Sequence, residues 1–306
     1  MSFLLLACVL SRHPVDTVPA PAAAPVAKWA AWLATPGPVT VDSWVSATWE
    51  AQLGSLLDLS DPACKGLPDR KVDIVLPVHV MRHPEKGDFL VDSGVPASMR
   101  EGPGPVKGLI RTALGSFAVV EPLGEGMAKR GIVPRALFLT HAHFDHVLGL
   151  PELPMDLPVY TGPGELRQSG AVAALMGGTA RAVLDGRPAV HEWTTQAMLP
   201  LGPVMAIDVV GDGSIYAISS PGHTPGSMAY LARTPAGPVL FAGDTSHTLY
   251  GWEHGATPGN FTADHGGNLQ SLLALKALAD GVPGMKVWVG HEMDGQHTGV
   301  NSLPGR

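Results

Sequence analysis

Residues 136–140, Ala-Leu-Phe-Leu-Thr, pass directly into His141-Ala142-His143-Phe144-Asp145-His146. A short apolar run without alternation is the pattern of a strand covered on both faces, so this chain needs layers on either side of the sheet that carries it. That requirement points to a layered α/β architecture and away from a helical bundle or a sheet with one wet face. Beyond the strand, an extended loop leaves His141 and His143 on one side, two residues apart, with Asp145 and His146 where the chain turns. Four metal-competent side chains thus fall within six residues. Imidazole and carboxylate together suit Zn²⁺ or a similar borderline divalent ion. Alone, the segment would also suit a solvated His-rich loop.

Three isolated ligand types follow other strands. His223 lies in Pro221-Gly222-His223-Thr224-Pro225-Gly226 after a strand at 215–219. Asp244 lies in Gly243-Asp244-Thr245 after 239–242, and His291 in Gly290-His291-Glu292 after 287–289. Strand ends are where binding residues gather in layered α/β folds.

The rest of the chain agrees with this architecture. Of 306 residues 45% are hydrophobic and only 15% charged, the balance of a packed globule, while Gly 37 and Pro 29 imply many turns. A net charge of −7 without a basic cluster excludes a nucleic-acid footprint and an anionic-membrane patch. Two cysteines, Cys8 and Cys64, exclude a disulfide scaffold and a multi-thiolate zinc finger. The pattern predicts strands at 72–81 and 89–91 joined as a hairpin and ending at Asp92-Ser93-Gly94. It predicts a helix over 121–131 stopped by Gly131, another over 165–176, and strands through 204–241. A last helix, capped by Asn268 and facing the core with Leu269, Leu272, Leu273 and the Lys276 stem, ends at Gly281 before a strand at 286–289. The first residues, Met1 to Cys8, are similar to a bacterial lipoprotein cleavage box, although no Lys or Arg precedes the apolar run. An Ala/Pro-rich stretch at 18–26 suits a tether. The expected division is a signal or lipoprotein segment with its tether over 1–38 and a single domain over 39–306. Processing at Cys8 implies a periplasmic or lipid-anchored protein; an unprocessed Met1 implies a cytoplasmic one. No other stretch of about 20 apolar residues offers a membrane span.

His141-x-His143-x-Asp145-His146, then His223, Asp244 and His291 in that order, resembles the ligand set of the metallo-β-lactamase superfamily, over roughly 72–292. The resemblance implies an αββα four-layer sandwich with a two-metal site at one edge. It implies that His141, His143 and His223 hold one metal, that Asp145, His146 and His291 hold the other, and that Asp244 bridges both. Asp92 matches the family position that orients a ligand. The metals implied are two divalent ions, Zn²⁺ first, with Mn, Fe or Co also accepted. Two such ions can share one hydroxide of near-neutral pKa, which makes the site hydrolytic, with Asp145 placed to accept a proton as well as to ligate. Zinc β-lactamases of the best-known groups carry Cys where this chain has Asp244, which demotes penicillin cleavage.

Within the superfamily the chain is most similar to N-acyl-homoserine lactone lactonases, through Leu56-Leu57-Asp58-Leu59, Val78-His79-Val80, Leu90 to Pro96 and Asp244-Thr245-Ser246. The implied activity is hydrolysis of a small-molecule lactone or related ester. The alternatives are a periplasmic organophosphate or arylester hydrolase with the same site, and a non-catalytic zinc-binding protein. Those lactonases have Tyr three residues after the bridging Asp, where this chain has His247. His247 reads equally as a hydrogen-bond donor to an oxyanion and as a surface loop residue. Trp193, Trp252 and Phe261 are candidates for an apolar pocket, although packing serves each as well. Loops 164–178 and 245–267 are long enough to cover a site, but such loops more often only connect. His254, His265 and His297 read as surface, and Cys64 as an unreactive thiol.

Overall fold

The computed structural model describes residues 9–19 and 26–293, apart from the side chain at position 113. Two mixed sheets form its centre. The first contains β1 (Val15–Val18), β2 (Thr40–Gln52), β3 (Lys71–His83), β4 (Gly87–Val91), β5 (Ala118–Val119), β6 (Pro134–Phe138), β7 (Val159–Thr161) and β8 (Val190–Trp193), in spatial order β1-β8-β7-β6-β4-β3-β2-β5. The second contains β9 (Leu199–Leu201), β10 (Val204–Asp208), β11 (Ile215–Ser219), β12 (Met228–Thr234), β13 (Gly237–Gly243) and β14 (Lys286–Val289), in order β14-β13-β12-β11-β10-β9. Helices α1 (Trp29–Ala34), α2 (Leu53–Leu56), α3 (Leu123–Arg130), α4 (Phe144–Val147), α5 (Ala171–Leu184), α6 (Leu249–His254) and α7 (His265–Asp280) connect and cover them.

Three apolar layers explain the sandwich. Between the sheets, Met81, Phe89, Phe138 and Trp193 of the first pack on Ala217, Tyr230 and Phe241 of the second. Outside the first sheet, Leu76, Val78 and Leu137 meet Leu123 of α3 and Met176 and Ala180 of α5. Outside the second, Ala229, Leu231 and Leu240 meet Leu33 of α1 and Leu275 and Leu278 of α7. Strand β6 therefore has apolar neighbours on both faces, as its sequence requires. The expected hairpin is present: β3 and β4 pair antiparallel from His79–Val91 to His83–Gly87.

The boundaries differ from the sequence expectation in three places. First, the fold begins well before residue 39. Leu10 is fully buried and its N–H donates to Gln168 O at 2.9 Å, while β1 pairs parallel with β8. Leu33 of α1 is also fully buried. Residues 1–8, with Cys8, and most of the Ala/Pro-rich stretch lie outside the described residues. Second, the helix expected at 165–176 is a 3₁₀ turn (Glu165–Arg167) followed by α5. Gly170 separates them at φ 109°, a backbone region that interrupts a helix. Third, α7 starts earlier than its expected cap. Asp264 caps it by accepting from the Gly267 N–H at 3.0 Å, and Asn268 lies inside the helix, its Nδ2 donating to Thr245 O at 3.0 Å. The buried face is accordingly Asn268, Leu272, Leu275 and Leu278, and Leu273 is 50% exposed. Among the described residues, no helix is long and apolar enough to cross a membrane.

Candidate metal centre

Topology brings the scattered ligand types together. Strands β4 and β6 run parallel in the first sheet. In the second, β13 is parallel to β14, and the two antiparallel steps through β12 leave β11 parallel to β13. The carboxyl ends of β4 and β6, and of β11, β13 and β14, thus emerge together in each sheet, and the loops leaving them carry Asp92, His141 to His146, His223, Asp244 and His291. After β6 the chain turns at once into α4, with His143 in N-cap position and Asp145 and His146 in its first turn. Close approach demands glycine beside Asp244: a Cβ on Gly290 would lie 2.0 Å from Asp244 Oδ1.

All seven expected side chains meet here. Asp244 Oδ2 lies 3.6 Å from His141 Nε2, 3.4 Å from His146 Nε2, 3.5 Å from His223 Nε2 and 3.3 Å from His291 Nε2. His223 Nε2 is 3.0 Å from His143 Nδ1. Asp145 Oδ2 is 3.8 Å from His146 Nε2 and 3.6 Å from His291 Nε2. The donor atoms of His141, His143 and His223 form one compact set, and those of Asp145, His146 and His291 another, each within 4.8 Å.

Anchors behind the cluster turn the rings inward. Asp92 Oδ2 accepts from His146 Nδ1 at 2.8 Å, and its two oxygens also accept from the Thr140 N–H and hydroxyl, both at 2.8 Å. His291 Nδ1 donates to Val75 O at 3.0 Å. Fixing one ring nitrogen in this way presents the other as a ligand.

Four buried atoms test whether a metal fits. His141 Nε2, His143 Nε2, His146 Nε2 and Asp244 Oδ1 are buried without a hydrogen-bond partner. Orphaned polar atoms concentrated in one pocket are costly unless something of opposite polarity satisfies them. Burial pushes His143 down to about 4 and, together with neighbouring imidazoles, holds His141 and His223 well below their ordinary range. Those three rings are neutral at pH 7, the form that ligates. Burial would raise the Asp244 carboxyl, but His291, His146, His247 and His141 hold it well below the usual range as an anion. Neutral imidazoles beside an anionic carboxylate fit a divalent cation; His146 and His291, despite their burial, are raised by Asp244 and the neighbouring carboxylates, so a cation there would displace a proton from each.

A cavity of about 780 Å³ opens onto the cluster, with Trp49, Ile110, Phe144, Leu175, Met176 and Phe261 on its apolar side. Of the three aromatic candidates only Phe261 lines it. Trp193 belongs to the inter-sheet core, and Trp252 packs at the outer face of the second sheet. The 164–178 and 245–267 stretches both reach the cavity, the first through Leu175 and Met176, the second through His247 and Phe261. His247 is 4% exposed and lines it too, so it is not a surface residue. His254 and His265 are exposed as expected, and His297 lies outside the described residues. Cys64 is buried, which with Asp61 and Asp58 nearby raises its thiol to about 11.

Sequence reasoning missed Glu165. It is fully buried and accepts from the Ala142 N–H at 2.6 Å, Gln168 Nε2 at 2.9 Å, Thr224 Oγ1 at 2.6 Å and the Gly226 N–H at 3.1 Å. One carboxylate therefore ties the His141–His143 loop to the His223 loop. The only sequence signal was a Glu after a glycine at the start of a helix-like stretch.

A family model of the metallo-beta-lactamase superfamily matches residues 77–291, the span that carries all seven ligand-type side chains. The chain belongs to the metallo-β-lactamase superfamily. Its two sheets and outer helices are the αββα sandwich of that superfamily. Among curated relatives, gamma-lactamase FDB1 of Fusarium pseudograminearum is 35% identical over 118 residues, 37% of this chain and 29% of that protein. N-acyl homoserine lactonase AttM of Azorhizobium caulinodans is 39% identical over 88 residues, 28% of this chain and 33% of that protein. These matches therefore span about a third of each relative or less. A solved quorum-quenching N-acyl homoserine lactone lactonase shares the fold at a TM-score of 0.61 and 17% identity, covering 84% of this chain and 93% of that one.

Proposed function

We propose that this chain is a two-metal hydrolase that opens lactones or related carboxylic esters. The observation that carries the reading is the convergence of seven ligand-type side chains at the mouth of an apolar-walled cavity. In this reading His141, His143 and His223 hold one divalent ion, Asp145, His146 and His291 hold the second, and Asp244 is shared. Zn²⁺ suits the donor set first, and Mn, Fe or Co also suit it. Bound there, the ions supply a water of near-neutral pKa and Lewis-acid polarisation of the scissile carbonyl.

The chain's own residues supply the rest. Asp145, the least buried of the seven, sits where the cluster meets the cavity and can take the proton released as water attacks. Trp49, Phe144, Leu175, Met176 and Phe261 enclose the acyl part and keep it dry, which strengthens each polar contact at the reacting end. A neutral ester or lactone suits these walls better than a polyanion does, given the net charge of −7. The names of two relatives, a lactonase and a gamma-lactamase, point to cyclic carbonyl substrates.

A second reading, organophosphate or arylester hydrolysis, draws on the edge-to-face pair Trp49–Phe144, 5.7 Å between centroids, as a seat for an aryl group. The deciding assay sets an acyl lactone beside an aryl phosphotriester, with metal-loaded protein. Preference for the lactone supports the first reading, preference for the phosphotriester moves the assignment to the second, and metal binding with neither turnover leaves a non-catalytic zinc protein.

A further inference from the structure

His247 has a role beyond forming the cavity wall. It follows Asp244 by three residues in the loop after β13, and that loop is fixed by backbone pairing: the Gly290 N–H donates to Ser246 O at 3.0 Å, and the His291 N–H to His247 O at 2.9 Å. The ring Nδ1 lies 3.2 Å from Leu56 O. A carbonyl oxygen can only accept, so a ring hydrogen sits on Nδ1, and Nε2 is the nitrogen that can ligate. That nitrogen points into the cluster, 3.0 Å from Asp244 Oδ2.

Two ligands of one zinc ion, each about 2.0–2.2 Å from it, stand roughly 3.0–3.6 Å apart. The separation between His247 and Asp244 falls in that range, as do those of His146, His223 and His291 from the same oxygen, at 3.4, 3.5 and 3.3 Å. The donor atoms of His223, Asp244 and His247 lie within 4.8 Å of one another, as compact as the two expected sets. The anchoring is also the same: Nδ1 on a main-chain oxygen and Nε2 inward, as in His291. We propose that His247 is an eighth metal ligand, joining His223 and Asp244 at the metal held by His141 and His143. The inference rests on the two-metal reading.

The direct test uses the whole wild-type protein, labelled with ¹⁵N-histidine and loaded with ¹¹³Cd²⁺. Scalar coupling between cadmium and the His247 Nε2 is expected; its absence while the other rings couple overturns the inference and leaves the seven-ligand reading intact. Absence of cadmium binding altogether overturns both. Chelator competition on His247→Phe adds an independent arm. One zinc equivalent is expected to be retained roughly 10- to 100-fold less tightly, with a changed visible spectrum in the Co²⁺ form. Unchanged retention and an unchanged spectrum contradict the proposal. Should the variant fail to fold, the wild-type coupling decides alone.

Discussion

At the scale of single residues, the proposed centre depends on groups that orient its candidate ligands as much as on those ligands. Asp92 is the one non-glycine among the described residues with a positive φ, 56°, and its carboxylate takes three hydrogen bonds from Thr140 and His146. A backbone held in that region outside glycine costs roughly 1–3 kcal/mol and persists only when surrounding contacts enforce it. Asp92→Asn places an N–H₂ or a weaker acceptor against His146. It is expected to lower metal affinity about 10- to 100-fold while the chain stays folded, measured by chelator competition and circular dichroism. Asp145→Asn separates ligation from proton transfer. Loss of turnover by about 10²-fold or more with both metals retained supports the proton role, and full turnover with both metals refutes it.

At the scale of elements, legibility followed local periodicity. Strand β6 and its histidine loop, the β3–β4 hairpin and the closing strand β14 were readable because each is defined by neighbours in sequence. The starts of α5 and α7 were not. Gly170 and Asp264 set them through backbone geometry and capping, and Asn268, a typical cap residue, is instead buried for its bond to Thr245. The apolar wall from Trp49, Ile110 and Leu175 was also illegible, because segments far apart in sequence supply it. Glu165 belongs with these: its meaning lies in the two loops it joins. Glu165→Ala would leave the buried N–H groups of Ala142 and Gly226 unpaired and remove one partner of the Thr224 hydroxyl. A loss of about 3–5 kcal/mol in urea unfolding is expected, against which a loss under 1 kcal/mol would show the tie to be unimportant.

At the scale of the whole molecule, one buried ring outside the metal cluster links stability to pH. His79 lies in β3 between Phe241 and Trp288, at centroid distances of 4.8 and 5.2 Å, and burial, assisted by His146, pushes it down to about 3. The unfolded chain takes up a proton here near 6.5, but the folded chain does not until about 3. Stability from this site is complete above pH 6.5 and declines as pH falls towards 3, by up to about 1.4 kcal/mol per unit. His79→Phe, compared with wild type in the same metal state at pH 7 and pH 5, is expected to lose less stability on acidification; equal losses would contradict this.

Bound metal should add to the stability of the whole fold, since ions that bind only the folded chain stabilise it by mass action. The ligand-type side chains were legible as a list in the sequence, but their convergence depended on five strand ends emerging together. The measurement closest to that claim is a count of zinc ions per chain after loading at neutral pH and removal of excess, in wild type and in Asp244→Asn. Two ions in wild type and a loss on removing the shared carboxylate are expected. One ion or none in a folded wild-type protein would contradict the account.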